Sequence, residues 1–360
     1  MSGEPGALRD TPHLGKVAPR FLQEAILPFL GARRPEVRLG PGQGLDTAAV
    51  DLGDGRLLVA TADPLWAAPR LGMGRSAWLA AHLVASDLAT SGFPPQLALV
   101  ELNLPPRMSD EELRVYWQGL HRAWEAMGVA VIGGHTGRYA GCDYTIVGSA
   151  TLLAVGPADR YVSPAHARPG DRILVTKGAA IEATGVLAAS FPRTVAERLG
   201  ADWQRRCEAF LDRASVVADA LAAARAGTGP HGVTAMHDAT EGGILGGLAE
   251  MAAACGQGIV VDASKVPVAE ETQRICELFE LDPLVIAGEG ALLIAVRPER
   301  VAAVRQELAR IGQAAAEIGW VRPPGEGRWV ETPSGRRPLE VPEWDPYWEA
   351  YRRAVESGWE

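Results

Sequence analysis

Cysteine is sparse in this chain. Cys142, Cys207, Cys255 and Cys276 lie far apart along 360 residues, with no CxxC pair and no histidine at metal-ligand spacing. That excludes a disulfide framework and a structural zinc site, and it fits a reducing compartment. Long apolar runs are missing too. None reaches the roughly 18 residues that a membrane-spanning helix needs, and the opening Met1 to Lys16 is polar and Gly/Pro-rich without the apolar core of a secretory leader. The chain is therefore expected in the cytoplasm, away from membranes. Excess positive charge is also absent: a formal net charge of −9 and a pI near 5.4 give no surface for nucleic acid, which needs Lys and Arg to displace condensed counterions. A small metal-bound anion stays compatible with this balance. Lysine is nearly absent, with Lys16, Lys177 and Lys265 standing among arginines, a bias that a GC-rich genome explains.

What is present is ordinary globular composition. Hydrophobic residues at 47% and charged residues at 22% support a soluble fold, and the length predicts two domains. Val17 to Leu30 has helical apolar spacing (Phe21, Ile26, Leu27, Leu30). Arg56 to Thr61 reads as a strand, Ala77 to Thr90 as a helix striped by Leu79, Leu83, Val84 and Leu88, and Gln96 to Leu104 as a strand. A helix capped by Ser109-Asp110-Glu111-Glu112 follows, then strands at Val129 to Ile132 and Tyr144 to Val155. Gly156 to Gly170 is Pro/Gly-rich and marks a boundary. Beyond it come a strand at Arg172 to Thr176, a helix from Ala180, a long Ala-rich helix from about Trp203 to Ala226, and a strand at Val233 to Met236. A helix from Thr240, strands near Ile259 and Leu292, and a helix from Pro298 to Ile311 complete the second half. Trp344, Tyr347, Trp348 and Tyr351, at helical spacing, are expected to pack back on the body. Strands alternating with helices make both halves α/β or α+β. The expected division is an N-terminal extension (1–38), a first domain (39–158), a second (159–330) and a tail (331–360).

Four motifs in the first half each place an acid or a histidine at the end of an element beside small residues. They are Gly44-Leu45-Asp46-Thr47-Ala48-Ala49, Thr61-Ala62-Asp63, Ser86-Asp87-Leu88-Ala89 and Gly133-Gly134-His135-Thr136. Oxygen ligands on small-residue turns suit magnesium, which keeps several waters and takes a few carboxylates plus substrate phosphates. Acids gathered together repel unless a cation lies between them. Taken singly, each motif is equally a turn or helix-cap residue, and His135 a hydrogen-bonded loop histidine.

In the second half, Met236-His237-Asp238-Ala239-Thr240-Glu241-Gly242-Gly243 precedes a stripe of Leu245, Leu248, Met251 and Ala252. Gly242 and Gly243 would open a helix whose free N–H groups favour an anion before Thr240, although Asp238 or Thr240 could simply cap that helix. Lys177, in Thr176-Lys177-Gly178 at a strand end, could reach a phosphate or stay solvated, and the solvated reading is favoured.

The order of these motifs resembles the aminoimidazole ribonucleotide (AIR) synthase superfamily, which includes that synthase, thiamine-monophosphate kinase, selenophosphate synthetase and the hydrogenase-maturation protein HypE. A G-x-D-x-A signature, a T-x-D turn, a D-L-A helix and a G-G-(D/E/H)-T loop occur in sequence. The 236–243 motif resembles the D-x-T-x-G-G segment of HypE, and Gly288-Glu289-Gly290 the N-E-G-x-L segment. The similarity runs from about Gly40 to Trp320. It implies a two-domain AIR synthase-like fold, a homodimer whose N-terminal sheets form a barrel, and ATP with magnesium as cofactors. Asp46, Asp63 and Asp87 would hold the metal. Thr47, Gly133, Gly134, Thr136, Lys177, Thr240, Gly242, Gly243 and Glu289 would join them around the nucleotide, and His135, Asp238 and Glu241 would serve the chemistry. Leu45 replaces an acid of the common G-D-D-A signature, and His135 an acid of that loop. A neutral imidazole is a poor ligand for a hard cation, so His135 is expected to bond phosphate or substrate, or to move a proton.

The selenophosphate reaction is unlike this chain, because the reactive Cys expected in an N-terminal glycine-rich segment is missing. HypE converts a carbamoyl group on its own C-terminal Cys to a nitrile, yet no Cys follows Cys276 here. Three readings stay open. The preferred one is a HypE-like ATP-dependent enzyme acting on a small-molecule or protein-borne amide or carbamoyl substrate supplied in trans. The others are a small-molecule kinase resembling thiamine-monophosphate kinase and a non-catalytic ATP-binding partner of a maturation complex.

Overall fold

The computed structural model describes residues 14–360. After a helical turn α1 (Pro19–Phe21) and a π-turn (Leu22–Ile26), the first half runs β1 (Val37–Leu39), β2 (Ala48–Asp51), β3 (Arg56–Trp66), α2 (Met73–Ala89), β4 (Leu97–Leu104), α3 (Asp110–Met127), β5 (Ala130–Arg138) and β6 (Ile146–Pro157). The strands form one sheet in the order β1-β2-β3-β6-β4-β5, antiparallel except for β4 against β5. The expected helix over Val17 to Leu30 shrinks to those two turns. Its apolar residues do not find a core: Phe21 is 55% and Phe29 80% exposed, and a short helix without packing is not stable alone.

Alanine, glycine and serine on α2 let α3 approach closely, and a Cβ placed on Gly119 would lie 2.6 Å from the Cβ of Ala77. The expected capping box opens α3: the Glu112 N–H donates to Ser109 Oγ at 3.2 Å while the Ser109 N–H donates to Glu112 Oε2 at 2.7 Å.

The second half contains β7 (Arg172–Thr176), α4 (Ile181–Ser190), α5 (Pro192–Leu199), α6 (Ala201–Glu208), α7 (Val217–Arg225), β8 (Val233–Asp238), α8 (Gly243–Cys255), β9 (Gly258–Asp262), α9 (Glu270–Phe279), β10 (Leu292–Val296), α10 (Val301–Arg310), β11 (Ala315–Arg322), β12 (Arg328–Thr332) and β13 (Gly335–Pro338). Its seven strands are ordered β13-β12-β9-β11-β7-β10-β8, with β12 and β9 parallel and the other pairs antiparallel. The single Ala-rich helix expected over Trp203 to Ala226 is broken by a 3-10 turn (Ala209–Arg213) that buries Phe210 and Leu211, so two short helices replace it. Residues 331–338, expected in the tail, belong to this sheet through β12 and β13.

The two halves meet through α2 and α7. Their buried residues join one apolar cluster that also takes in Leu174, Met236 and Leu292 of the second sheet. Helix α11 (Pro346–Glu356), opened by Asp345, returns over this junction as its aromatic spacing suggests. Beyond it Trp359 packs on Phe279 with ring centroids 4.9 Å apart, and the Glu360 carbonyl accepts the Thr194 N–H at 2.7 Å.

Candidate functional site

Between the halves lies a cavity of about 710 Å³, within the range of small-molecule sites. The first half delivers acids to it from three elements. Asp46 stands before β2, where Thr90 at the end of α2 donates a hydrogen bond to it at 3.0 Å; Asp63 stands in β3; Asp87 stands on α2 and accepts from Thr61 Oγ1 at 3.3 Å. The second half delivers Asp238 at the end of β8, with Thr240 and Glu241 in the turn before α8. Glu289 lies buried against Asp238. No Lys, Arg or backbone N–H donates to either oxygen of Asp238 or of Glu289, although the residues are 1% and 0% exposed; the two carboxyls face each other, with Ser86 beside Glu289.

Burial, followed by the repulsion of neighbouring acids, governs this cluster. Asp87 is pushed well above the usual carboxylate range by burial and then by Asp238, Asp63 and Asp46. Glu289 rises well above it through burial and Asp238. Burial takes Asp238 to about 6, with Asp46 adding to it, and takes Asp63 to about 7, partly opposed by Lys16. An unpartnered buried carboxylate is costly, so four oxygens without a basic or backbone donor among this many acids make a place for a cation. The donors are all hard oxygens, which fits magnesium and its preference for one or two carboxylates beside phosphate.

The expected metal trio is not gathered as a set. Among the described residues, the group whose side-chain atoms lie within 4.8 Å of one another is Asp46, His237 and Asp238. Asp63 and Asp87 share the cavity but not that group. His237 is no ligand, because both its nitrogens are engaged: Nδ1 lies 2.7 Å from Asp46 Oδ1 and Nε2 lies 3.1 Å from Glu250 Oε2. A ring between two carboxylates carries both protons. Burial alone would lower its pKa, but Asp46 and Glu250 together hold it well above the usual histidine value. The oxygens that could hold a metal are therefore those of Asp46 and Asp238, with Glu289 behind them.

At four further places the structure differs from the expected arrangement. Gly133, Gly134, His135 and Thr136 form no loop at the acid cluster; they lie exposed in β5, at the sheet edge three strand spacings, about 14 Å, from β3. A Cβ on Gly134 would lie 1.7 Å from the Val100 carbonyl oxygen, so this glycine serves close strand pairing. His135 Nε2 bonds Tyr139 Oη at 2.5 Å, and neither residue lines the cavity. Thr47 turns away to Tyr161 Oη at 3.1 Å. Lys177 is neither solvated nor free for phosphate: its Nζ donates to Asp219 Oδ2 at 2.6 Å, Ser215 O at 2.8 Å and Gly290 O at 3.0 Å, and its side chain is 5% exposed. Finally, the N–H of Gly242, expected to meet a ligand anion at the start of α8, is met by the chain's own Asp345 Oδ2 at 2.8 Å. Gly242 does cap α8, and Leu245, Leu248, Met251 and Ala252 are buried as expected.

Several residues of the cavity were not expected there. Lys16 reaches the 240–243 turn, its Nζ 3.2 Å from Thr240 Oγ1 and 3.3 Å from Glu250 Oε1, while its N–H donates to Glu241 Oε2 at 2.8 Å. Burial would lower this lysine, and Glu250, Glu241 and Asp46 more than reverse that. Glu182 on α4 and the aromatic wall of Trp66, Tyr347, Trp348 and Tyr351 were also unread; Trp66 and Trp348 stack at 5.4 Å. The scarcity of lysine was a signal for Lys16, and the spacing of the tail aromatics one for the wall.

Two family models match the chain, the N-terminal domain of AIR synthase related proteins over residues 44–154 and their C-terminal domain over residues 168–330. The chain belongs to this family. A carbamoyl dehydratase HypE of Rhodobacter capsulatus is 31% identical over 250 residues, 66% of this chain and 69% of that protein. A putative hydrogenase expression/formation protein of Methanocaldococcus jannaschii is 27% identical over 342 residues, 92% of this chain and 96% of the relative. Among solved structures, a hydrogenase maturation protein HypE in complex with ATP aligns with a TM-score of 0.60 at 23% identity, covering 92% of this chain and 94% of that one, a likeness of fold. AIR synthase-like architecture and kinship with HypE are thereby established.

Proposed function

We propose that this chain is a HypE-like, magnesium-dependent enzyme that uses ATP to phosphorylate the oxygen of an amide or carbamoyl group carried by a separate molecule. The observation that carries the reading is the buried carboxyl of Asp238, without a basic or backbone partner, on a cleft that none of the four cysteines lines, with Glu289 packed behind it. Oxygens left without such a partner favour a cation with phosphates. The lack of a thiol at the cavity favours a substrate from outside, and Cys276 is packed on α9 with its pKa pushed up to about 12 by burial.

When bound, magnesium supplies charge neutralisation and alignment of the phosphates. Asp46 and Asp238 would hold it, with Asp87 and Asp63 lining the same cavity. Lys16 adds a positive charge beside Thr240. In the reaction the carbamoyl oxygen bonds the γ-phosphorus as ADP leaves. The C–O bond then breaks, phosphate departs with that oxygen, and the nitrogen gives up two protons as the nitrile forms. Glu241, which lines the cavity beside Thr240, would take one of them and the departing phosphate the other. Holding the partners together in a walled cleft supplies most of the rate in such transfers.

The same reading includes a homodimer joined at the β5 edge, where Val131 and Ile132 are 42% and 54% exposed, and a cytoplasmic location. Among the described residues no helix is long and apolar enough to cross a membrane. Sedimentation at micromolar concentration tests the dimer. For the activity, incubation with MgATP and an S-carbamoyl cysteine peptide should release phosphate and remove the mass of one water from the peptide. ATP binding without phosphate release in the presence of carbamoyl, carboxamide or ureido acceptors would overturn it in favour of a non-catalytic nucleotide binder.

A further inference from the structure

The charges around the cavity are lopsided. Asp46, Asp63, Asp87, Glu182, Asp238 and Glu241 line it, and among the described residues Lys16 is the one basic side chain that lines it with them. Lys16 is seated by both of its ends. Its N–H donates to Glu241 Oε2 at 2.8 Å, and its Nζ lies 3.2 Å from Thr240 Oγ1 and 3.3 Å from Glu250 Oε1. The approach needs glycine at the residue before it: Gly15 has a φ of +104°, and a Cβ there would lie 2.6 Å from Glu241 Oε2 and 3.0 Å from Trp348 Nε1. Glu250 passes the contact inward. Its other oxygen meets His237 Nε2 at 3.1 Å, and His237 Nδ1 meets Asp46 Oδ1 at 2.7 Å, so two side chains join the ammonium to a carboxylate that could hold a metal. Yet the Lys16 side chain is 54% exposed, and Val17 after it is 51% exposed. Charge holds this lysine rather than packing, and charge can displace it.

We propose that Lys16 couples the two ligands of the cleft: it serves as the counter-cation of the empty cleft, resists a divalent cation that comes alone, and pairs with the triphosphate when the two come together. This rests on the reading of the cleft as a magnesium and nucleotide site. An ammonium among carboxylates and a magnesium ion seek the same negative field, and each weakens the hold of the other. The field of Lys16 reaches the acids concerned, since it opposes the upward push on both Asp63 and Asp238. A bare cation therefore enters against it. A triphosphate reverses the sign. It brings more negative charge than one magnesium cancels, and a half-exposed ammonium at the same cavity can pair with the excess. Lys16 thus disfavours the metal alone and favours the pair, so that the cleft loads with both together.

Calorimetry on the full chain tests this with two titrants, magnesium chloride alone and a non-hydrolysable ATP analogue in saturating magnesium. Lys16→Met should bind magnesium alone about tenfold more tightly than wild type and the analogue about tenfold more weakly, opposite signs that loss of a merely structural contact does not produce. Lys16→Arg keeps the charge and should stay within about threefold of wild type in both titrations. A Lys-specific endoprotease gives a second readout that needs no variant. Lys177 is 5% exposed, and a cut after Lys16 is told from one after Lys265 by mass. Cleavage after Lys16 should quicken in saturating magnesium chloride and slow again when the analogue is added. Magnesium affinity that is unchanged or weaker in Lys16→Met overturns the proposal, as does wild-type analogue affinity in that variant or cleavage indifferent to magnesium. The two readings fail separately. Shifts of opposite sign in a protein that releases no phosphate with any carbamoyl, carboxamide or ureido acceptor sink the reaction alone; turnover in wild type with shifts of the same sign in Lys16→Met sinks the coupling alone.

Discussion

Removing the carboxylate of Asp219 separates the two roles that Lys177 could have. The ammonium of Lys177 is held by Asp219, Ser215 and Gly290 in a site where the two charged side chains are 5% and 2% exposed, and Asp219 also accepts Thr176 Oγ1 at 2.7 Å. Asp219→Ala leaves a buried ammonium with two carbonyls and no counter-charge, and breaking a buried pair from one side costs about 3–5 kcal/mol. At about 2.1 cal/mol/K per residue, 360 residues unfolding together have an unfolding entropy near 0.76 kcal/mol/K, so the expected fall in Tm is about 4–7 °C. The assay is differential scanning calorimetry with and without MgATP. ATP affinity should be unchanged once the protein is folded, and the double variant Asp219→Ala with Lys177→Met should lose less than the sum of the two singles. A Tm within a degree of wild type together with a tenfold weaker ATP affinity would refute this account and make Lys177 a phosphate contact.

Asp46→Asn or Asp87→Asn should weaken magnesium-dependent ATP binding by about tenfold, since each removes a charge facing the cation; wild-type calorimetric affinity in both would sink the nucleotide site. Without magnesium, stability should fall as pH rises from 5 to 7.5. Asp63 and Asp238 have folded values of about 7 and 6 against 3.8 unfolded, so the folded state binds more protons in that window and loses stability as they leave. His237, raised above 6.5, acts in the same direction, while Glu250, lowered to about 2, changes only below 4.5. Tm should therefore decline across the window in wild type and decline less in Asp63→Asn; equal slopes would contradict the assignment. After incubation with a carbamoyl donor and ATP, mass spectrometry should find no carbamoyl or cyano adduct on the four cysteines. An adduct on Cys276 would overturn the outside-substrate reading.

The sequence carried the fold well because the hydrophobic periods and the α3 capping box are local signals. It also placed Asp46, Asp63, Asp87, Asp238, Thr240 and Glu241 on one cavity through motif order. What it could not carry were properties fixed by pairing at a distance. Whether a glycine pair is a loop or a strand depended on how tightly Gly134 lies against Val100, and the fate of Lys177 depended on Asp219, which sits 42 residues away. His237 stood inside a motif already singled out, but its charge follows from Asp46 and Glu250, neither of which announces it. The break in the Ala-rich helix came from burial of Phe210 and Leu211, a tertiary demand that overrides helix propensity.

The contacts that close the cleft also have a timetable. Lys16 and Glu241 are 225 residues apart, Asp46 and His237 191, and Gly242 and Asp345 103. Joining segments so distant costs loop entropy that local pairing does not, so these bonds come late in folding. Both sheets can be complete before the cleft exists, and during that interval Asp46, Asp63 and Asp87 of the first half stand apart from Asp238, Glu241 and Glu289 of the second. The last contacts to form are those that drive the carboxylates together, so the molecule becomes hungry for a cation only at the end of its own assembly.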